Sequence, residues 1–122
     1  CGPLGGIYTA LSSTTADFCF VCAADMPNMN PDFIAFMISM AHDHDIVMPT
    51  WSKGREPLHA IYRSTVLPCV KTLLAQDSFR IFSLIEKVDT LIIPEETIRR
   101  YGNPEVMFSN INTMLDMEQM GS

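Results

Sequence analysis

Asp25 stands where chemistry is easiest to build. It follows the nearly continuous apolar run of residues 17–24 and precedes Met26-Pro27. Such a run reads as a strand buried on both faces, and ligands of open α/β sheets gather beyond the carboxyl ends of strands. A carboxylate there suits Mg²⁺, a hard cation whose shell substrate phosphates can complete. The competing reading is an Asp that only caps the following turn. Asn110 and Asn112 lie two apart. In an extended segment both amides point to one side, where they could read a polar heterocycle or a phosphate. A helix cap explains one of these amides and not both.

Gly2-Pro3-Leu4-Gly5-Gly6 reads as a turn-rich loop with too many breakers for regular structure. Backbone without side chains lets a base or a phosphate come close. The Walker pattern is missing, and a plain loop is the bland account. Arg55-Glu56-Pro57-Leu58-His59 mixes a cation, an anion and an imidazole in a turn. A surface salt bridge beside a partly buried His explains that mixture without function. His42-Asp43-His44-Asp45 looks like a metal cluster on paper. Its imidazoles fall on different faces of a helix end, so a solvated last turn is the better account. Cys19 and Cys22 form a lone C-x-x-C inside the first strand. Positions three apart on a strand face opposite sides, so the pair reads as small buried thiols rather than a disulfide or half a zinc site.

The elements that must position these groups follow from periodicity. Ile7, Ala10 and Leu11 have helical spacing. Asn30 caps a helix that opens with Pro31 and runs to about His42 on Phe33, Ile34, Phe36, Met37 and Met40. Residues 46–49 and 90–93 read as strands, 52–55 as a turn, 62–75 and 79–87 as helices. Pro94 opens an acid-first helix over 95–100, and Thr113 caps a last one over 114–120. The alternation is that of one α/β domain, residues 1–122, with right-handed crossovers.

Charge narrows the function classes. The 122 residues carry 8 Lys and Arg against 14 Asp and Glu, a net charge of −6. A nucleic-acid binder needs a basic face, so nucleic acid is not an expected partner. No apolar run approaches the roughly 18 residues of a membrane span, so no membrane partner is expected either. All the Lys and Arg lie at or after Lys53, while Asp17, Asp25, Asp32, Asp43 and Asp45 precede it. Together with a start at Cys1, this leads us to expect a fragment or a mature form; an N-terminal Cys can also mark a lipoprotein.

Four segments, in order and spacing, resemble one family. They are Gly2-Pro3-Leu4-Gly5-Gly6-Ile7, Ala24-Asp25-Met26-Pro27, Glu56-Pro57-Leu58-His59-Ala60-Ile61-Tyr62 and Asn110-Ile111-Asn112-Thr113. The family is that of the molybdenum cofactor guanylyltransferases. The resemblance implies a Rossmann-like nucleotidyltransferase fold: an α/β three-layer sandwich with a mostly parallel sheet, here N-terminally truncated. It implies transfer of GMP from GTP to molybdopterin with release of pyrophosphate and a need for Mg²⁺. Asp25 would be the catalytic metal ligand. Gly2, Pro3, Leu4, Gly5 and Gly6 would border the nucleotide. Asn110 and Asn112 would lie on the molybdopterin side, with Glu56 and His59 shaping the same acceptor pocket.

The family's leading strand and its glycine-rich loop, with an Arg and a Lys that grip the triphosphate, have no counterpart in this sequence. The segment alone is therefore expected to be nearly inactive. An open edge on the 17–24 strand is expected to pair with a second copy or with an N-terminal piece. Cytoplasmic location and contact with molybdoenzyme maturation proteins complete the expectations. A cytidylyltransferase or other small nucleotidyltransferase of the same fold, or a non-catalytic molybdopterin- or protein-binding fragment, is the alternative.

Overall fold

The structure, a computed structural model, describes residues 2–22, 28–78 and 80–109. Among the described residues five strands make one sheet: β1 (Phe18–Cys22), β2 (Ile46–Trp51), β3 (Gly54–Arg55), β4 (His59–Arg63) and β5 (Thr90–Ile93). The order is β1-β4-β2-β3, and β5 also pairs with β2. β4 is antiparallel to both β1 and β2, β3 is antiparallel to β2, and β5 is parallel to β2. Thus β1, β2 and β5 run one way. The expected parallel character holds for these directions, while most neighbouring pairs are antiparallel because β4 is inserted between β1 and β2.

β4 corrects the sequence reading, which gave His59 to a turn and Tyr62 to a helix. His59, Ala60, Ile61 and Tyr62 are all fully buried. A strand covered on both faces loses the alternation that marks a strand, so it merges with the apolar helix after it. That helix, α3 (Leu67–Ala75), starts only after a 3-10 turn over Ser64–Val66, with Pro68 in its first turn. β1 corrects the reading in the other direction. It is half-buried along its whole length, as befits an edge strand whose one partner among the described residues is β4.

Alternation along the strands sorts side chains into two cores. Ile46, Met48, Ala60 and Tyr62 face α1 (Gly2–Ser12), α3 and α4 (Ile81–Lys87) through Leu4, Ile7, Leu11, Val70, Leu73, Ile81, Leu84 and Ile85. Val47, Trp51, Ile61 and Ile93 face α2 (Pro31–Met40), α5 (Glu95–Ile98) and α6 (Pro104–Met107) through Phe33, Met37, Ile98 and Met107. Helices on both faces of one sheet give the three-layer sandwich. Cys19 packs in the first layer and Cys22 in the second, as opposite-facing positions of a strand must.

α1 overturns the expectation of an irregular opening. Gly2 to Gly6 are helical. Each glycine costs a helix roughly 1 kcal/mol relative to Ala. Leu4, Ile7 and Leu11 offset that by burying one stripe against the sheet and α3. α2 forms as expected: the Asn30 side chain accepts from the Phe33 amide at 2.9 Å, and Pro31 opens the first turn. The turn at Ser52-Lys53 is closed by Gly54 at φ +112°, a backbone conformation only glycine adopts easily.

The end of the sheet where β2 and β5 begin is tied by Asp45. It accepts from the Thr65 hydroxyl at 2.6 Å and from the Asp89 amide at 3.0 Å. His44 Nδ1 lies 3.3 Å from Asp89. His42 and Asp43 sit in an exposed 3-10 turn over Ala41–Asp43, so the His-Asp run is a solvated turn, as its spacing indicated.

Candidate functional site

β1 ends at Cys22, β2 at Trp51 and β5 at Ile93, all toward one end of the sheet. β4 runs the other way and starts there, with His59 opposite Cys22. The link from β3 to β4 is held tightly. The Glu56 amide donates to Pro49 O at 2.9 Å, the His59 amide to Glu56 O at 3.2 Å, and the Tyr62 hydroxyl to Pro57 O at 2.6 Å.

Glu56 is buried, with 2% of its surface exposed. Its Oε1 accepts from the Trp51 indole N–H at 2.6 Å, and its Oε2 has no partner among the described residues. Burial pushes this carboxyl up to about 7, against the Trp51 hydrogen bond and the Lys53 charge, which both favour the ionised form. The expected surface salt bridge is therefore absent. Arg55 instead lies over the Phe82 ring, 5.0 Å from its centroid.

His59 is fully buried rather than partly so, and neither ring nitrogen has a partner among the described residues. Burial pushes it down to about 4, so the imidazole is neutral near pH 7. Three phenylalanines surround it. Phe20 and Phe108 stand edge-on at 5.1 and 4.9 Å, and Phe33 lies nearly parallel at 6.1 Å. Phe108 also packs on Trp51 at 5.8 Å, between the partners of Glu56 and His59.

Of the residues singled out from sequence, Glu56 and His59 are brought together around Phe108. Asp25, Asn110 and Asn112 lie outside the described residues. Their described flanks meet: Asn28 Nδ2 donates to Ser109 Oγ at 3.4 Å. Leu4 points into the aliphatic core. Its side chain therefore has no part in lining a nucleotide site. At Gly6, by contrast, an added Cβ would meet nothing within 4 Å. Residues 13–17 lead α1 into β1, and the helix packs beside that strand. Among the described residues no three His, Cys, Asp or Glu side chains gather as a metal site. Among them, too, no helix is long and apolar enough to cross a membrane.

Sequence reasoning missed Trp51, Phe108 and Phe20. Trp51, the single tryptophan, had a signal in its place across a glycine turn from Glu56. Phe108 had none.

Comparison with known proteins agrees with this architecture. Residues 1–100 match the family model of the MobA-like NTP transferase domain. A relative from Methanosarcina mazei, named as a probable molybdenum cofactor guanylyltransferase, is 33% identical over 98% of this chain and 54% of its own length. Its Methanosarcina acetivorans counterpart is 35% identical, with the same coverage. The chain thus spans about half the length of the curated relatives it matches. Molybdopterin-guanine dinucleotide biosynthesis protein A from Archaeoglobus fulgidus superposes with a TM-score of 0.79 at 23% identity, over 98% of this chain and 62% of that one, and so shares the fold. With a family model matched over most of its residues and a sheet of the same architecture, the chain belongs to the MobA-like NTP transferase domain family.

Proposed function

We propose that the complete gene product transfers GMP from GTP to molybdopterin. An oxygen of the molybdopterin phosphate attacks the α-phosphorus of GTP, a new phosphoanhydride forms, and the bond to the β-phosphate breaks to release pyrophosphate. One observation carries the reading. The sheet sets Cys22, three residues before Asp25, against His59, while Asn28 and Ser109 bond across the gap that leads to Asn110. The described chain beside all three motifs, at Cys22 and Asn28, at His59 and at Ser109, therefore lies toward the end of the sheet where α/β folds bind ligands.

In this reading Asp25 holds Mg²⁺. The donor set fits, because Mg²⁺ is commonly bound by one or two carboxylates with phosphate oxygens completing its shell. The ion would supply charge neutralisation at the transferring phosphorus. In this reading Gly2 to Gly6 border the nucleotide, with Gly5 and Gly6 letting it approach the backbone closely because they carry no side chain. Asn110 and Asn112 receive the acceptor, and the Glu56–His59 region walls its pocket. Charge to offset the triphosphate must come from elsewhere, since no Lys or Arg precedes Lys53. The reading puts the work in the cytoplasm, where Cys19, Cys22 and Cys69 stay reduced. The edge of β1 that no described strand covers supports association with further chain or with a second copy. A clean monomer by light scattering, with no second fragment by mass spectrometry, would contradict that association.

The test is pyrophosphate release by the complete gene product with GTP, Mg²⁺ and molybdopterin. Asp25→Asn should lower the rate by about 10²-fold or more, the scale of losing a group that stabilises transition-state charge. An unchanged rate in Asp25→Asn removes the metal assignment. Preference for CTP makes the protein a cytidylyltransferase instead.

A further inference from the structure

Phe108 is nearly fully buried and ends α6, two residues before Asn110. Two rings hold it: Trp51 at 5.8 Å and His59 at 4.9 Å. The Trp51 ring is itself fixed, because its N–H donates to Glu56 Oε1 at 2.6 Å. Glu56 is pinned at both backbone groups, to Pro49 O and to the His59 amide. A chain of direct contacts therefore runs from the rigid strands through a carboxylate, an indole and a phenyl ring to the point where the chain enters 110–112. Ser109, between Phe108 and Asn110, accepts a hydrogen bond from Asn28 Nδ2.

We propose that Glu56 is a positioning residue for the acceptor: by holding Trp51 it fixes Phe108, the described residue two before Asn110. The idea rests on the proposed function for the identity of the acceptor. Glu56 need not touch either substrate. Stability alone does not explain it, since among the described residues its second oxygen is buried without a partner, an arrangement that costs rather than gains. A displacement of about 1 Å at the root of a binding segment is enough to spoil positioning.

The experiment uses the complete gene product and two readouts. Glu56→Leu and Trp51→Phe should each raise the KM for molybdopterin about tenfold, while the KM for GTP stays within about twofold. The double variant should be no worse than the worse single, because both break one link. Glu56→Gln keeps an oxygen acceptor and should restore most of the loss. The second readout is the Trp51 indole N–H resonance, assigned by its disappearance in Trp51→Phe. It should move in Glu56→Leu and again in Phe108→Leu. Equal effects on both KM values, additive losses, or a resonance indifferent to Phe108→Leu would overturn the proposal. If the wild-type protein ignores molybdopterin, the proposed function falls, and the resonance alone still decides whether Glu56 positions Phe108 through Trp51.

Discussion

The two faces of the sheet are built from different materials. The face toward α1, α3 and α4 is filled mainly by Leu, Ile and Val, and among its described buried side chains no polar atom lacks a partner. The face toward α2, α5 and α6 holds Phe20, Phe33, Phe108 and Trp51, together with every unpartnered buried side-chain atom among the described residues, on Glu56 and His59. Aliphatic packing is close and inexpensive to satisfy. Aromatic rings leave defined edges and can orient a polar group. The difference indicates that one layer supplies stability while the other gives up some of it to hold particular groups in place.

The contrast can be broken by substitution. The largest effect is expected in the aliphatic layer, where Leu84→Ala should cost about 2–5 kcal/mol in urea unfolding, since a cavity opens in close-packed surroundings. A loss well below that range would mean that this layer is not the main source of stability. Next comes Asn30→Ala. It removes the cap of α2 and a 2.7 Å bond to Tyr101 O, and should cost about 1–2 kcal/mol. On the aromatic face the sign should reverse. His59→Leu removes two unpartnered nitrogens and should raise stability by about 1 kcal/mol. A lower unfolding midpoint would show that the imidazole has a partner in solution and would erase the contrast.

The same two groups make a pH signature. Glu56 is raised from 4.5 to about 7, so the folded state holds its proton more tightly. The stability this confers is complete below pH 4.5 and is lost as pH rises toward 7. His59 is lowered from 6.5 to about 4. Its contribution is complete above pH 6.5 and is lost as pH falls toward 4. Between pH 4.5 and 6.5 the two slopes oppose each other, so stability should be nearly flat there. Single variants unmask each slope. In Glu56→Gln stability should rise with pH across that window, and in His59→Leu it should fall. Urea midpoints taken at several pH values decide it, and parallel curves for the two variants would refute the assignment. The smallest effect belongs to the surface. Arg99→Ala breaks an exposed i,i+4 pair with Glu95 and should change stability by no more than about 0.5 kcal/mol.

Local signals carried part of this molecule. The Asn30 cap with Pro31, the strands after Ile46 and Thr90, and the opposed Cys19 and Cys22 were all readable, because each depends on neighbours in sequence or on a period of two. The same letters placed Glu56 and His59 in one short segment. They gave the wrong surroundings for both, since a charged residue and an imidazole near a turn are most often at the surface.

Contacts between distant parts of the chain settled the rest. α1 is a helix despite its glycines because Leu4, Ile7 and Leu11 find a core that no local propensity reveals. β4 is a strand because it is covered on both sides, which erases the pattern a reader would look for. Glu56 meets Trp51 only through a hairpin, and Phe108 reaches both Trp51 and His59 only because α6 folds back over the carboxyl ends of the strands. Periodicity records which way a side chain faces. What it faces depends on which segments the sheet brings together.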